Sequence, residues 1–322
     1  MSNLYPLKFT PIFKKTLWGG NKLRAYLSKA SEDGTGESWE ISALQGNESI
    51  VKEGNLAGKS LKDLCAQFGA ELLGEKVVHE TGKEFPLLFK FIDARQDLSL
   101  QVHPNNELAQ KKHHCFGKTE MWYVVQADEG ARLINGFCQE LKPDQYEAAV
   151  KSGEILDFVG SYEVKEGDTF FIPAGRIHGI GAGILIAEIQ QTSNITYRLY
   201  DYHRKDQNGQ ERQLHIADGK DALDFAVLPN TKISVEEQIN QPETLVQCPF
   251  FTVNLLHVEG TLPRDLVNRK SFVAYMALQG KTTISVQEKL YSIEKGESIL
   301  IPAALASYCV QGINAKLLEV YI

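Results

Sequence analysis

Glu163-Val-Lys-Glu-Gly167-Asp-Thr-Phe-Phe-Ile-Pro173-Ala and Ser292-Ile-Glu-Lys-Gly296-Glu-Ser-Ile-Leu-Ile-Pro302-Ala are one pattern written twice, with the same glycine-to-proline spacing. A tight turn at the glycine, a short buried strand of bulky residues and a proline-marked corner describe a β-unit used two times. Around these copies the chain reads as short strands punctuated by glycine, proline and asparagine, for example Pro86 to Asp93, Glu120 to Gln126, Asp168 to Pro173 and Ile184 to Gln191. Ser60 to Gly74 has helical spacing, with a serine cap, Asp63 three residues later and a closing glycine; a second helical window runs from about Asp144 to Phe158. The pattern predicts a mainly β protein of two small barrels with a few helices. A polar stretch near Asn230 to Glu243, between helical-looking Ala217 to Val227 and strand-like Phe250 to Val258, predicts the join, giving units 1–235 and 236–322.

The bulk numbers bound the function. At 322 residues, 43% hydrophobic and 23% charged, the chain is an ordinary globular protein with material for two cores. A net charge of −7 argues against nucleic acid, whose phosphates need a basic face, and requires that any anionic substrate meet a local concentration of lysine and arginine. Five scattered cysteines without a CxxC pair read as reduced thiols. No apolar run reaches membrane-spanning length, and the amino terminus carries proline and lysine where a signal peptide needs an apolar run. The expectation is a cytoplasmic protein with no membrane partner, a monomer or small homo-oligomer.

Only the first unit carries chemistry. Gln101 and His103, two apart in an alternating strand, leave the same face; Glu120 shares its face with Trp122; His178 follows the turn Pro173-Ala-Gly175. Two imidazoles, a carboxylate and an amide oxygen make a mixed N/O set for one divalent metal, with room for water or substrate. In the second copy the position of His178 is Ser307, and no Gln-x-His pair precedes it, so that barrel has the scaffold without the ligands. The run His113-His114-Cys115, flanked by lysines, reads as a solvated loop rather than a metal site, and Glu37 and Trp39 as pocket lining or barrel wall.

The spacing Gly167 to Pro173 to His178, with Gln101-x-His103, resembles the two motifs of cupins, which are jelly-roll barrels. Two departures, Glu120 seventeen residues after His103 and Ala182 where asparagine is usual, point away from oxygenase cupins. Leu98-Ser-Leu-Gln-Val-His-Pro-Asn, Lys118-Thr-Glu-Met-Trp-Tyr, Phe171-Ile-Pro-Ala-Gly-Arg-Ile-His and Glu188-Ile-Gln-Gln-Thr-Ser-Asn-Ile-Thr-Tyr-Arg198 resemble the type I mannose-6-phosphate isomerases in their short bacterial form. The resemblance implies two cupin-type jelly-roll barrels and an aldose-ketose isomerase acting on a sugar phosphate through an enediolate. It implies one zinc ion per chain on Gln101, His103, Glu120 and His178, a catalytic Arg198 with Glu188 as an acidic site residue, and substrate contacts from Lys90, Ser99, Lys118 and Arg204. Asn194 stands where relatives usually have aspartate, and Arg204 where larger members have lysine. The proton-transferring base stays open among Glu188, a metal-bound water and a site histidine. A metal oxygenase and a non-catalytic sugar-phosphate sensor are the rival readings.

Overall fold

The computed structural model describes residues 3–206, 208–228, 231–265, 267–305 and 307–322. In the first unit a seven-stranded sheet and a five-stranded sheet are stacked face to face. The larger has the order Lys232–Ile233, Thr169–Ile172, Glu120–Ala127, Ile184–Gln191, Leu87–Ala94, Ile12–Gly20, Thr35–Ile41. The smaller has the order Tyr197–Tyr200, Leu100–Val102, His178–Ile180, Arg132–Phe137, Val159–Glu163. Their inner faces share one apolar cluster, with Ile92, Trp122, Val124 and Ile186 from the larger sheet meeting Leu98, Leu133 and Ile180. The architecture is that of a jelly roll whose sheets are not closed into a continuous barrel.

The central strands of the larger sheet are buried along their whole length. Alternation explains why. Phe89, Phe91, Met121, Tyr123, Leu185 and Ile189 point outward, into a second cluster with Val253, Leu255, Ala274, Met276, Leu318 and Val320 of the carboxy-terminal unit. A sheet covered on both faces reads as nearly continuous hydrophobic sequence, interrupted on the inner face by charged residues at Lys90, Glu120 and Glu188.

The carboxy-terminal unit is a seven-stranded antiparallel arrangement built on the long strands Thr252–Asp265 and Ser307–Tyr321, with its own interior of Leu256, Tyr275, Ile284, Ile299 and Val310. The two glycines of the repeat adopt matching positive φ, 91° at Gly167 and 85° at Gly296, a conformation that excludes most side chains. Strand Lys232–Ile233 still pairs within the first unit and Pro242–Gln247 pairs within the second, so the change of sheet falls between them; Asn230, at the edge of the expected join, lies outside the described residues.

Two helical expectations are corrected. The stretch after Ser60 is a helix over Leu61–Phe68 and a separate turn over Ala70–Leu73, because Gly69 takes φ 49° and its N–H closes the first helix on the Cys65 carbonyl. Ser60 caps it as expected, accepting from the Asp63 N–H at 3.0 Å. His113 is not in a loop: it ends the helix Asn106–His113, with His114 as the left-handed cap, and its Nε2 lies 2.7 Å from the Tyr197 hydroxyl. All five cysteines are free thiols, and among the described residues no helix is long and apolar enough to cross a membrane.

Candidate active site

Strand register places the chemistry in two facing rows. On the smaller sheet, His178 lies opposite Gln101, and Gln101 opposite Arg198, three neighbouring strands contributing one side chain each to the same face. On the larger sheet, Glu188 lies opposite both Trp122 and Lys90, and Lys90 opposite Trp39. Glu120, two residues before Trp122, shares that face, and Lys118 and His103 stand just beyond the ends of their strands.

His103, Glu120 and His178 are wholly buried, at 1%, 0% and 0% exposure. The Nδ1–H of His103 donates to the Ile195 carbonyl at 2.9 Å and that of His178 to the Arg176 carbonyl at 2.8 Å, which turns both Nε2 lone pairs inward. The two Nε2 atoms are 3.2 Å apart, each lies 3.5 Å from one oxygen of Glu120, and the Gln101 amide reaches His178 Nε2 at 3.1 Å. Two bonds of about 2.1 Å at a tetrahedral angle separate their ligand atoms by about 3.4 Å, so this set fits one metal ion. Half a turn of the Gln101 amide presents oxygen instead of nitrogen. Glu120 Oε1 is buried with no hydrogen-bond partner, a cost that a bound cation removes. Burial pushes His178 down to about 3 and, with the Lys118 ammonium, holds His103 well below its ordinary value. Both imidazoles are therefore neutral, as ligands must be.

A cavity of about 890 Å³ opens above these ligands, with Glu37, Trp39, Lys90, Lys118 and Glu188 on one wall and Ser99, Gln101 and Arg198 on the other. Glu188 is 3% exposed; its Oε2 accepts the Trp122 indole N–H at 3.0 Å, and its Oε1 lies 3.2 Å from Lys90 Nζ and 3.9 Å from Lys118 Nζ. Burial opposes ionisation of this carboxyl, but the ammonium groups of Lys118 and Lys90 outweigh it and hold Glu188 below the usual carboxylate range. Glu120 moves the other way, up to about 7, because of burial and the Glu188 charge. Lys118 also hydrogen-bonds Glu120 and lies 3.0 Å from His103 Nε2. Lys90 is shared with Glu37 at 3.7 Å and sits 5.0 Å over the Trp39 ring.

The four expected ligands thus come together, and Glu188, Arg198, Lys90, Ser99 and Lys118 face the same cavity, as does Asn194. Arg204 does not line it. Its Nη2 donates to the Asp97 carbonyl at 2.5 Å and lies 3.4 Å from Asp201, beside a separate hollow of about 190 Å³, so its expected substrate contact is replaced by a bracing one. Glu37 and Trp39 line the pocket. Trp18 lines it too, as do Arg212 and Lys15, which carry no motif: Arg212 lies in a polar stretch and is held by its pairing with Asp201.

Residues 6–149 match the family profile described as phosphomannose isomerase type I, catalytic domain, and residues 241–322 that of the mannose-6-phosphate isomerase cupin domain. The mannose-6-phosphate isomerase ManA of Bacillus subtilis is 35% identical, covering 95% of this chain and 96% of its own length. A mannose-6-phosphate isomerase of Streptococcus mutans is 36% identical over 95% of each chain. The crystal structure of the mannose 6-phosphate isomerase from Bacillus subtilis superposes with a TM-score of 0.87 at 29% identity, covering 99% of this chain and 100% of that one.

Proposed function

The chain belongs to the type I phosphomannose isomerases, and from that premise we propose that its first unit, within residues 1–235, uses zinc to interconvert D-mannose 6-phosphate and D-fructose 6-phosphate, while 236–322 forms a barrel without metal ligands. The observation that carries this reading is the clustering of His103, Glu120 and His178 with Gln101 under a cavity whose wall holds a buried, cation-paired carboxylate. The isomerisation moves a proton between C1 and C2 of the sugar through an enediolate, so it needs a base over those carbons and positive charge beside the oxygens. Gln101, His103, Glu120 and His178 would hold the zinc, which would supply Lewis acidity to the reaction.

Both histidines spend Nδ1 on a carbonyl and Nε2 on the ligand cluster, which removes the site histidine as base. Of Glu188 and a metal-bound water, Glu188 is the group the chain itself places on the cavity wall, and it is the base in this reading. Lys90 and Lys118 keep it ionised, and the Trp122 indole fixes its orientation. Glu188 takes the C2 proton and returns it to C1, while the proton of the C2 hydroxyl passes to the C1 oxygen. Arg198, in the same row as His178 and Gln101, stands beside the oxygens that gain charge, as a permanently protonated group with several donors. Lys118 and the Ser99 hydroxyl meet the sugar, and Lys90 serves chiefly to hold Glu37 and Glu188. The chain acts on a small sugar phosphate as a monomer or small homo-oligomer in this reading. Five free thiols suit a cytoplasmic setting.

The deciding experiment follows conversion of mannose 6-phosphate to fructose 6-phosphate before chelation, after chelation and after zinc is returned. Activity that falls with the metal and recovers with zinc is expected. Fully metal-loaded protein that binds the sugar phosphate without turnover would overturn the isomerase in favour of a sensor.

A further inference from the structure

The proposed substrate carries a phosphate dianion at its far end, and a protein of net charge −7 must offer that end a patch of wall where cations outnumber carboxylates. Lys90 is held between Glu37 and Glu188, and Lys118 by Glu120. Arg204 faces away from the cavity. Of the other cations on its wall, Lys15 pairs with Glu32 at 2.5 Å on an exposed strand, which leaves Arg198 and Arg212.

Arg212 is built for the task. Its Nε and Nη2 fork onto the Asp201 carboxylate at 2.7 and 2.5 Å, and Asp201 is itself only 5% exposed. One edge of the guanidinium is thereby fixed, and Nη1 keeps no protein partner among the described residues. Asp201 is a single negative charge serving three guanidiniums, because Arg204 lies 3.4 Å from it and Arg198 feels both Asp201 and Arg212. The group retains excess positive charge at the cavity wall. Arg198 donates through Nη1 to the Gln213 carbonyl and stands beside the reacting oxygens in the proposed reaction, so Arg212 is the cation left for the far end of the substrate. Asp206, the acid nearest in sequence on that wall, is turned to the backbone N–H groups of Asn208 and Gln210.

The geometry points to Arg212, locked in place by Asp201, as the anchor of the substrate phosphate and the residue that selects phosphorylated over free sugar. The inference rests on the isomerase reading for its substrate but not for its ligand chemistry: a guanidinium edge on a carboxylate, with the remaining donors free, is a phosphate receptor.

Binding of inorganic phosphate and of sorbitol 6-phosphate to the zinc-loaded full chain, measured by calorimetry, reads Arg212 independently of turnover. Arg212→Ala should weaken both by about 30-fold and raise KM for mannose 6-phosphate by a similar factor, with kcat within about 3-fold and zinc content unchanged. Arg212→Lys should restore part of the affinity, since it returns the charge without the fork. Equal phosphate binding by wild type and Arg212→Ala overturns the inference, whether or not the wild type isomerises the sugar; wild-type turnover tests the isomerase assignment by itself. Should Arg212→Ala fail to fold, the double change Asp201→Asn with Arg212→Met removes both charges of the pair, and phosphate affinity retained in it would overturn the inference equally.

Discussion

The two barrels share a buried carboxylate with an aromatic donor and two cations, and differ in the ligand set placed beside it. Trp122 pairs with Phe170 and Tyr275 with Ile299, equivalent positions of the repeat, and across from them stand Glu188 and Glu319. Each carboxylate accepts from its aromatic neighbour, the Trp122 indole at 3.0 Å and the Tyr275 hydroxyl at 2.9 Å, and each is flanked by two cations. In the second barrel those are Arg264 at 2.6 Å and Arg269 at 3.2 Å, with the Asn254 amide at 3.0 Å completing the set. The metal ligands have no such echo: by the same register Val273 replaces Glu120, Asp265 replaces Gln101 and Ser307 replaces His178. The carboxylate opposite the aromatic residue therefore belongs to the scaffold, and only the Glu188 copy of it faces the large cavity.

This comparison can be broken at several points. Glu120→Ala should abolish bound zinc and lower activity by on the order of 10³-fold or more, measured by metal analysis and sugar-phosphate turnover. Glu188→Gln should lower kcat by roughly 10²- to 10⁴-fold with little change in KM, while Glu319→Gln leaves kcat unaltered. Equal kinetic effects of the two substitutions would mean that the carboxylates act alike, through the fold. Glu319→Gln should instead cost stability, about 3–5 kcal/mol in urea unfolding, because two guanidiniums lose their buried counter-charge.

The acid limb of stability offers a finer test. Burial opposes ionisation of Glu319, but Arg264 and Arg269 outweigh it and hold its carboxyl below the ordinary value. A depressed folded pKa stabilises fully above the unfolded value, about 4.3 for glutamate, and that contribution is lost as pH falls through the folded value. The stability difference between wild type and Glu319→Gln should accordingly shrink below about pH 4.3. A difference constant down to pH 2 would detach Glu319 from this account. Smallest of all, Ser60→Ala should cost about 1 kcal/mol by uncapping Leu61–Phe68, with turnover unchanged.

Much of this arrangement is legible in sequence because strands have period two. Gln101-x-His103 and Glu120-x-Trp122 each declare a shared face, and the glycine-to-proline repeat declares two copies of one β-unit. What the linear pattern misses is set by tertiary neighbours. Arg204, close in sequence to Arg198, is drawn off to the Asp97 carbonyl; Arg212, farther along, comes back to the cavity because Asp201 holds it. Lys90, expected to contact the substrate, has beside it Glu37, supplied by a strand far earlier in the chain. The helix after Ser60 looks continuous because Gly69 falls where glycine can also be a tolerated interior residue, and only its positive φ shows the break.

The outward-pointing row of Phe89, Phe91, Met121, Tyr123, Leu185 and Ile189 gives the silent barrel an indispensable duty. Cut the chain after residue 235 and the catalytic half would present a broad greasy wall to water, so it should stick to itself before it could work. A duplicate that has lost its ligands is thus trapped as a lid on the back of its twin, free to drift in chemistry and forbidden to leave.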